Sequence, residues 1–227
     1  MKISIDGPAG AGKSTVAKKV AKELGFVYID TGAMYRALTY MAIKEQIDLH
    51  NGEKLATLLV KHPIEFQIEN NQQRVKIANQ DVTEYIRTPE ISKYVSLVAK
   101  HEQVRKEMLK IQRQLAEKGN IVMDGRDIGT NVLPDADLKI FLTASIEERA
   151  KRRYQELLLQ GYKGSIEEIK QDIANRDKQD QERKFGPLKK ANDAILIDTT
   201  QLSIDQVVTR ILQLVKKFQE GGKNEII

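Results

Sequence analysis

The stretch Lys2-Ile3-Ser4-Ile5-Asp6-Gly7-Pro8-Ala9-Gly10-Ala11-Gly12-Lys13-Ser14-Thr15 decides the fold. Its first five residues form a short apolar-rich run that reads as a strand, and Gly7 ends it. Gly7 to Ser14 then fits G-x-x-x-x-G-K-[ST] in full, and Ser14 to Leu24 runs on with helical spacing to Gly25, a C-cap residue. Glycines let a backbone wrap an anion with its N–H groups pointing inward, and a new helix starts with N–H groups that have no partner in their own helix. Gly7, Pro8, Ala9, Gly10, Ala11, Gly12, Lys13, Ser14 and Thr15 are therefore the expected ATP-binding residues. Lys13 is placed to reach the β and γ phosphates, and the Ser14 hydroxyl is placed to ligate Mg²⁺. There is no N-K-x-D guanine signature, which counts against a GTPase.

Outward from this loop, Phe26-Val27-Tyr28-Ile29-Asp30 reads as a second strand, and β–loop–α–β order implies a parallel sheet. Further buried strands are expected at Ile121-Val122-Met123-Asp124, Leu138-Lys139-Ile140-Phe141-Leu142 and Ala194-Ile195-Leu196-Ile197-Asp198. Helices are expected at about 32–46, 88–118, 145–160, 165–181 and 203–219. The fold class is α/β, an open parallel sheet with helices on both faces. One segment departs from this rhythm. Ile64-Glu65-Phe66-Gln67-Ile68 and Arg74-Val75-Lys76-Ile77 alternate with period two around Asn70-Asn71, which reads as a hairpin inserted between helices. The tail from Glu220 onward reads as frayed.

Composition sets bounds. The chain has 227 residues, 41% hydrophobic and 30% charged, which suits a globular protein without wholesale disorder. It contains no cysteine, so it has neither disulfides nor Cys metal sites, and a reducing, cytoplasmic compartment is expected. No signal peptide or membrane span is expected, because apolar runs reach only about six residues against the ~20 a span needs. The net charge of +5 permits an anionic substrate or a nucleic acid. Lysines such as Lys18, Lys19, Lys216 and Lys217 read as solvated helix faces, and with 5% aromatic residues and no Trp there is little for bases to stack on.

The arginines form a pattern of their own. Asp30-Thr31-Gly32-Ala33-Met34-Tyr35-Arg36 and Asp124-Gly125-Arg126-Asp127 each follow a strand, at the carboxyl edge where open α/β sheets bind ligands. Arg176, Asp180 and Arg183 are spaced i, i+4, i+7, which puts them on one face of a helix. A single arginine usually marks a surface ion pair, but this set has the charge and forked geometry to enclose a monophosphate. Asp124, closing an apolar strand, is the candidate acid to support Mg²⁺ directly or through water; strand ends also carry Asp for turn reasons. Arg149, Arg152 and Arg153 share a side of their helix and read as a lid facing phosphates, or else as a charged rim.

With these stretches assembled, the sequence resembles the bacterial cytidylate kinases from end to end. The matching segments are IDGPAGAGKST, IDTGAMYR, DVTEYIRTPEIS, MDGRDIGTNVLPDADLKIFLTAS, EERAKRR and NRDKQDQER. The first is common among P-loop kinases; D-[ST]-G-A-x-Y-R and DGRD-x-G-T, with the β insert between them, are far more specific. The resemblance implies a nucleoside monophosphate kinase fold: one P-loop NTPase domain with a five-stranded parallel core over about 1–35, 86–145 and 165–219, an acceptor-binding insert at about 36–85 with a small β element near 62–83, and a lid at about 146–164. It implies ATP-dependent phosphorylation of CMP and dCMP with Mg²⁺, by a cytoplasmic monomer that needs neither nucleic acid nor membrane. Carried over by motif, Thr31, Arg36, Arg126 and Arg183 hold the acceptor phosphate, Ser96, Arg105 and Asp127 read cytosine, Arg176 and Asp180 meet the ribose, and Asp30 is a further CMP-binding residue. Lys13, Arg126, Arg153 and Arg183 are the expected catalytic cations, with Arg149 and Arg152 on ATP. The alternatives are a P-loop kinase for UMP or dephospho-coenzyme A, and a nucleic-acid-binding ATPase.

Overall fold

A computed structural model of the protein describes residues 1–69, 72–117, 119–159 and 161–221. The expected Asn70-Asn71 turn and the tail beyond Gly221 lie outside the described residues. By its internal packing the chain divides into two compact units. The first holds Met1–Tyr28, Lys118–Glu182 and Gly186–Ile227, and the second holds Ile29–Glu117 and Arg183–Phe185.

The first unit is built on a parallel sheet. Its strands are β1 (Lys2–Asp6), β2 (Val27–Asp30, whose last two residues fall in the second unit), β6 (Ile121–Gly125), β7 (Leu138–Thr143) and β8 (Ile195–Asp198), in the order β2-β6-β1-β7-β8. The β1 strand is central, with Ile5 opposite Asp124 and Asp6 opposite Gly125 on one side, and Ile5 opposite Ile140 on the other. Period-two alternation gives the two sides of this strand different chemistry. Ile3 and Ile5 join Val122, Leu138, Ile140 and Leu142 in an apolar layer with α1 (Lys13–Leu24) and α8 (Ile204–Gly221). Ser4 and Asp6 turn the other way and are buried polar residues. Two further helices, α6 (Ile146–Leu158) and α7 (Ile166–Glu182), pair through Ala150, Leu157, Ile169 and Ile173.

The second unit has its own core. Its helices are α2 (Thr31–Lys44), α3 (Gly52–Lys61), α4 (Pro89–Ala99) and α5 (Glu102–Ala116). A small antiparallel sheet of β3 (Ile64–Glu69), β4 (Gln72–Ile77) and β5 (Gln80–Asp81) adds Ile64, Val75 and Ile77 to the layer formed by Met34, Leu38, Leu55, Leu59 and Met108. The hairpin expected from sequence is present, extended by β5.

Two expectations change. The helix expected over 88–118 is two helices, interrupted at Lys100 and His101. No glycine or proline marks the break, where one long-range and one local hydrogen bond are made. The His101 ring meets the Leu49 carbonyl at 2.9 Å, and Arg105 donates to the Ala99 carbonyl at 3.2 Å. The helix expected to carry Arg183 stops at Glu182, so Arg183 lies past its end and groups with the second unit. Arg176 and Asp180 keep the shared face.

The turn from β1 into α1 depends on Gly7. Its φ is +148°, and a Cβ there would lie 2.0 Å from the Leu142 carbonyl oxygen. Gly12 also has a positive φ, +83°, but a Cβ there would meet nothing within 4 Å. Gly12→Ala should therefore cost only backbone strain, about 1–3 kcal/mol, whereas Gly7→Ala should cost distinctly more because main chain must move. Urea unfolding of both variants checks this; equal losses would remove the steric argument.

Candidate active site

In the first unit the phosphate-loop residues and the β6 residues meet as the parallel register requires. Gly7, Gly10 and Gly12 all have positive φ, and Gly12 opens α1 with no side-chain cap, leaving the first N–H groups of that helix for a ligand. Lys13 is buried and donates to the Pro8 carbonyl at 2.7 Å. The Ser14 hydroxyl donates to Asp124 at 2.8 Å, and the Tyr28 hydroxyl donates to the other Asp124 oxygen at 2.9 Å. A hydroxyl and a carboxylate side by side are hard oxygen donors, which suits Mg²⁺ carried by phosphates and water. Among the described residues no group of three or more His, Cys, Asp or Glu residues stands ready to hold a metal by itself.

Charge gathers around Lys13. Burial, then the Arg126 and Arg176 guanidiniums, hold its ammonium well below the usual lysine range, while the Asp124 and Asp180 carboxylates oppose the shift. Arg126 donates from Nε to Asp180 at 2.8 Å. Two guanidiniums, Arg126 and Arg176, thus act on the buried Lys13 together with the carboxylates of Asp124 and Asp180.

The α6 arginines separate. Arg149 is buried and grips the Ala9 carbonyl at 3.0 Å, the Asp177 carboxylate at 2.6 Å and the Ala144 carbonyl at 3.0 Å. Arg152 bonds the Thr199 carbonyl at 2.7 Å and hydroxyl at 3.1 Å, just beyond β8. Arg153 pairs instead with Glu156 on its own helix at 3.1 Å. Two of the three thus reach the loop side, and the third lies along the rim.

A turn that the sequence did not announce follows β6. The Asp127 carbonyl accepts from Asn131 at 2.9 Å and from Val132 at 3.2 Å, and the Ile128 carbonyl accepts from Leu133 at 2.7 Å, a wide i→i+5 turn over Ile128–Val132. Asp127 is buried, and its side chain accepts from the Asn131 amide at 3.0 Å. The N–H groups of Ile128 and Gly129 donate to the two oxygens of Asp6 at 2.8 and 2.7 Å. Burial pushes the Asp6 carboxyl up to about 7; those two N–H bonds oppose the shift, and Asp127 adds to it.

In the second unit, Asp30 caps α2 by accepting from the Ala33 N–H at 2.8 Å. The same carboxylate pairs with Arg36 at 2.9 Å and lies 3.6 Å from Arg87. Thr31 is buried at the first turn of α2. Arg105 is buried under Tyr35, 5.4 Å from the ring centre, on a different helix from the half-buried Ser96. Arg87, Tyr28, Asp6 and Asn131 were not singled out from sequence. Arg87 could have been found from its place in DVTEYIRTPEIS, one of the segments that carry the resemblance; the others are read only from contacts.

A family model described as cytidylate kinase matches residues 3–217. A cytidylate kinase of Bacillus cereus (strain B4264) is 57% identical over 213 residues, 94% of this chain and 95% of the relative. One of Bacillus anthracis (strain CDC 684) shows the same identity and coverage. Among solved structures, an uncharacterized protein from Eubacterium ventriosum superposes with a TM-score of 0.52 at 14% identity, covering 96% of this chain and 98% of that one, a likeness of fold alone.

The Asp6 shift gives a pH prediction. Between its usual value of 3.8 and about 7 the folded chain keeps a proton that the unfolded chain has released. Stability contributed by Asp6 should therefore fall as pH rises from about 4 to about 7 and level off above. Asp6→Asn should flatten that part of a thermal-unfolding pH series; an unchanged slope would assign it elsewhere.

Proposed function

We infer the reaction from one premise: this chain belongs to the cytidylate kinase family. It is a phosphotransferase whose acceptor is CMP. The reading extends to ATP as donor, dCMP as a second acceptor and Mg²⁺ carried in with the triphosphate. The observation that supports it best is the gathering of the Arg126 and Arg176 guanidiniums around the buried Lys13 of the phosphate loop.

Phosphoryl transfer asks the protein for alignment and charge compensation more than for covalent chemistry. The acceptor phosphate oxygen is already charged, so no general base is required. Lys13, the loop N–H groups, Arg149 and Arg152 bind the triphosphate; Arg153, held by an exposed pair of small energetic value, is free to add its charge at the transferring group. Thr31, Arg36, Arg126 and Arg183 hold the acceptor phosphate, with Asp30 fixing Arg36. Arg176 and Asp180 meet the ribose, and Ser96, Arg105 and Asp127 read the base. Ser14, with Asp124 directly or through water, would hold Mg²⁺, which would supply charge neutralisation at the phosphates. Cytosine offers an amino group to a carboxylate where uracil presents a carbonyl, so a buried Asp127 disfavours UMP.

A monomer acting in the cytoplasm without nucleic acid or membrane completes the reading; among the described residues no helix is long and apolar enough to cross a membrane. Lys13→Ala should lower kcat by about a hundredfold or more with the fold kept by circular dichroism. With ATP, CMP should have a higher kcat/KM than UMP or AMP in a coupled assay. UMP or AMP exceeding CMP would overturn the acceptor assignment, and survival of Lys13→Ala activity within a few-fold would overturn the role of Lys13.

A further inference from the structure

The face of β1 that turns away from α1 and α8 is the base on which the Ile128–Val132 turn is laid. Asp6, the last residue of β1, stands opposite Gly125, the last residue of β6. Immediately after Gly125 come Arg126 and Asp127, then the wide turn. Any such turn opens with N–H groups that have no partner within it. Here they belong to Ile128 and Gly129, both buried, so each needs an acceptor. Asp6 supplies both, one oxygen to each.

Few side chains could do this. The geometry uses two acceptor atoms held in one rigid plane, one for each N–H. An asparagine would offer one oxygen and turn its NH₂ toward the other N–H; a serine has one oxygen on a shorter arm. The turn is also pressed close to the strand. A Cβ on Gly129 would lie 2.9 Å from the Ser4 Oγ and 3.2 Å from the Lys139 Cδ. The chain therefore has little freedom in where it leaves β6, and that exit sets the backbone of Arg126 and Asp127. Asn131 completes the arrangement by holding the Asp127 carboxylate from inside the same turn.

We propose that Asp6 is a positioning residue for acceptor choice, clamping the turn so that Asp127 faces the base and Arg126 the acceptor phosphate, without touching the nucleotide itself. This rests on the base-reading role given to Asp127 above. A residue that merely supported the phosphate loop would alter the donor side, because Gly7 follows Asp6 directly. A residue that acts through Asp127 alters acceptor KM and selectivity.

The test is steady-state kinetics with CMP, UMP and ATP on wild type, Asp6→Asn, Asp127→Asn and the double variant. Asp6→Asn should lower the CMP:UMP ratio of kcat/KM about tenfold through KM for CMP, with KM for ATP within about twofold. The double variant should have the selectivity of Asp127→Asn alone. If Asp127→Asn abolishes selectivity and Asp6→Asn preserves it, the clamp is overturned and base reading stands. If Asp127→Asn preserves it, base reading falls and the clamp with it. Gly129→Ala reaches the same turn without altering the carboxylate and keeps the question open to test should Asp6→Asn not fold. It should raise KM for CMP, and Ser4→Ala, which removes the nearest obstacle, should restore it in part; absence of rescue overturns the clamp.

Discussion

Like charges do not gather around a buried ammonium without a reason. Lys13, Arg126 and Arg176 are close enough that the two guanidiniums depress the lysine ammonium, and Asp124 and Asp180 compensate only in part. In low dielectric such an arrangement costs free energy in the empty protein. A polyphosphate reverses the sign: the same field that disfavours the ammonium attracts the anion and stabilises charge on a transferring phosphoryl group. Several polar contacts of the first unit surround this cluster. Asp180 orients Arg126, Ser14 and Tyr28 occupy Asp124, and Arg149 ties Ala9 of the phosphate loop to Asp177 of α7.

The sheet divides the labour by strand periodicity. Ile3 and Ile5 send one face of β1 into the apolar layer under α1 and α8, and that burial anchors the strand from which the loop springs. Ser4 and Asp6 send the other face into polar contact with the turn after β6. One strand thus sets both the donor loop, through chain continuity, and the turn bearing Arg126 and Asp127, through hydrogen bonds. Asp6 is the residue at which the two tasks meet.

Much of this was legible in the sequence, and the parts that were not have physical causes. The five core strands and the hairpin stood out because their periodicities are local. The phosphate loop stood out because glycine spacing and the strand-to-helix setting coincide. The break at His101 was invisible because no breaker residue marks it; the ring there bonds Leu49, about fifty positions earlier. The short α3 falls outside the long helical periodicities, although Asn51 caps it and Leu55, Leu58 and Leu59 give it an apolar face. Arg183 was placed on a helix face by spacing alone, but α7 stops one residue short of it. Of the three α6 arginines, spacing gave one shared side, and partners then separated them: Arg149 to Ala9, Arg152 to Thr199, Arg153 to Glu156.

Asp6 illustrates a further reason for partial legibility. In sequence it looks like an ordinary acid that ends a strand before a glycine turn, and such residues usually serve the turn they precede. Its carboxylate instead serves a turn more than a hundred residues away, at Ile128 and Gly129. That choice follows from parallel pairing. In a parallel sheet the ends of neighbouring strands lie at the same edge, so the last residue of one can reach the chain leaving the next. On the proposed reading, acceptor recognition at that edge depends on how firmly the exit from β6 is held, because a carboxylate reads an amino group only from a fixed position. A buried acid that satisfies two backbone donors at once holds it more firmly than side-chain packing alone.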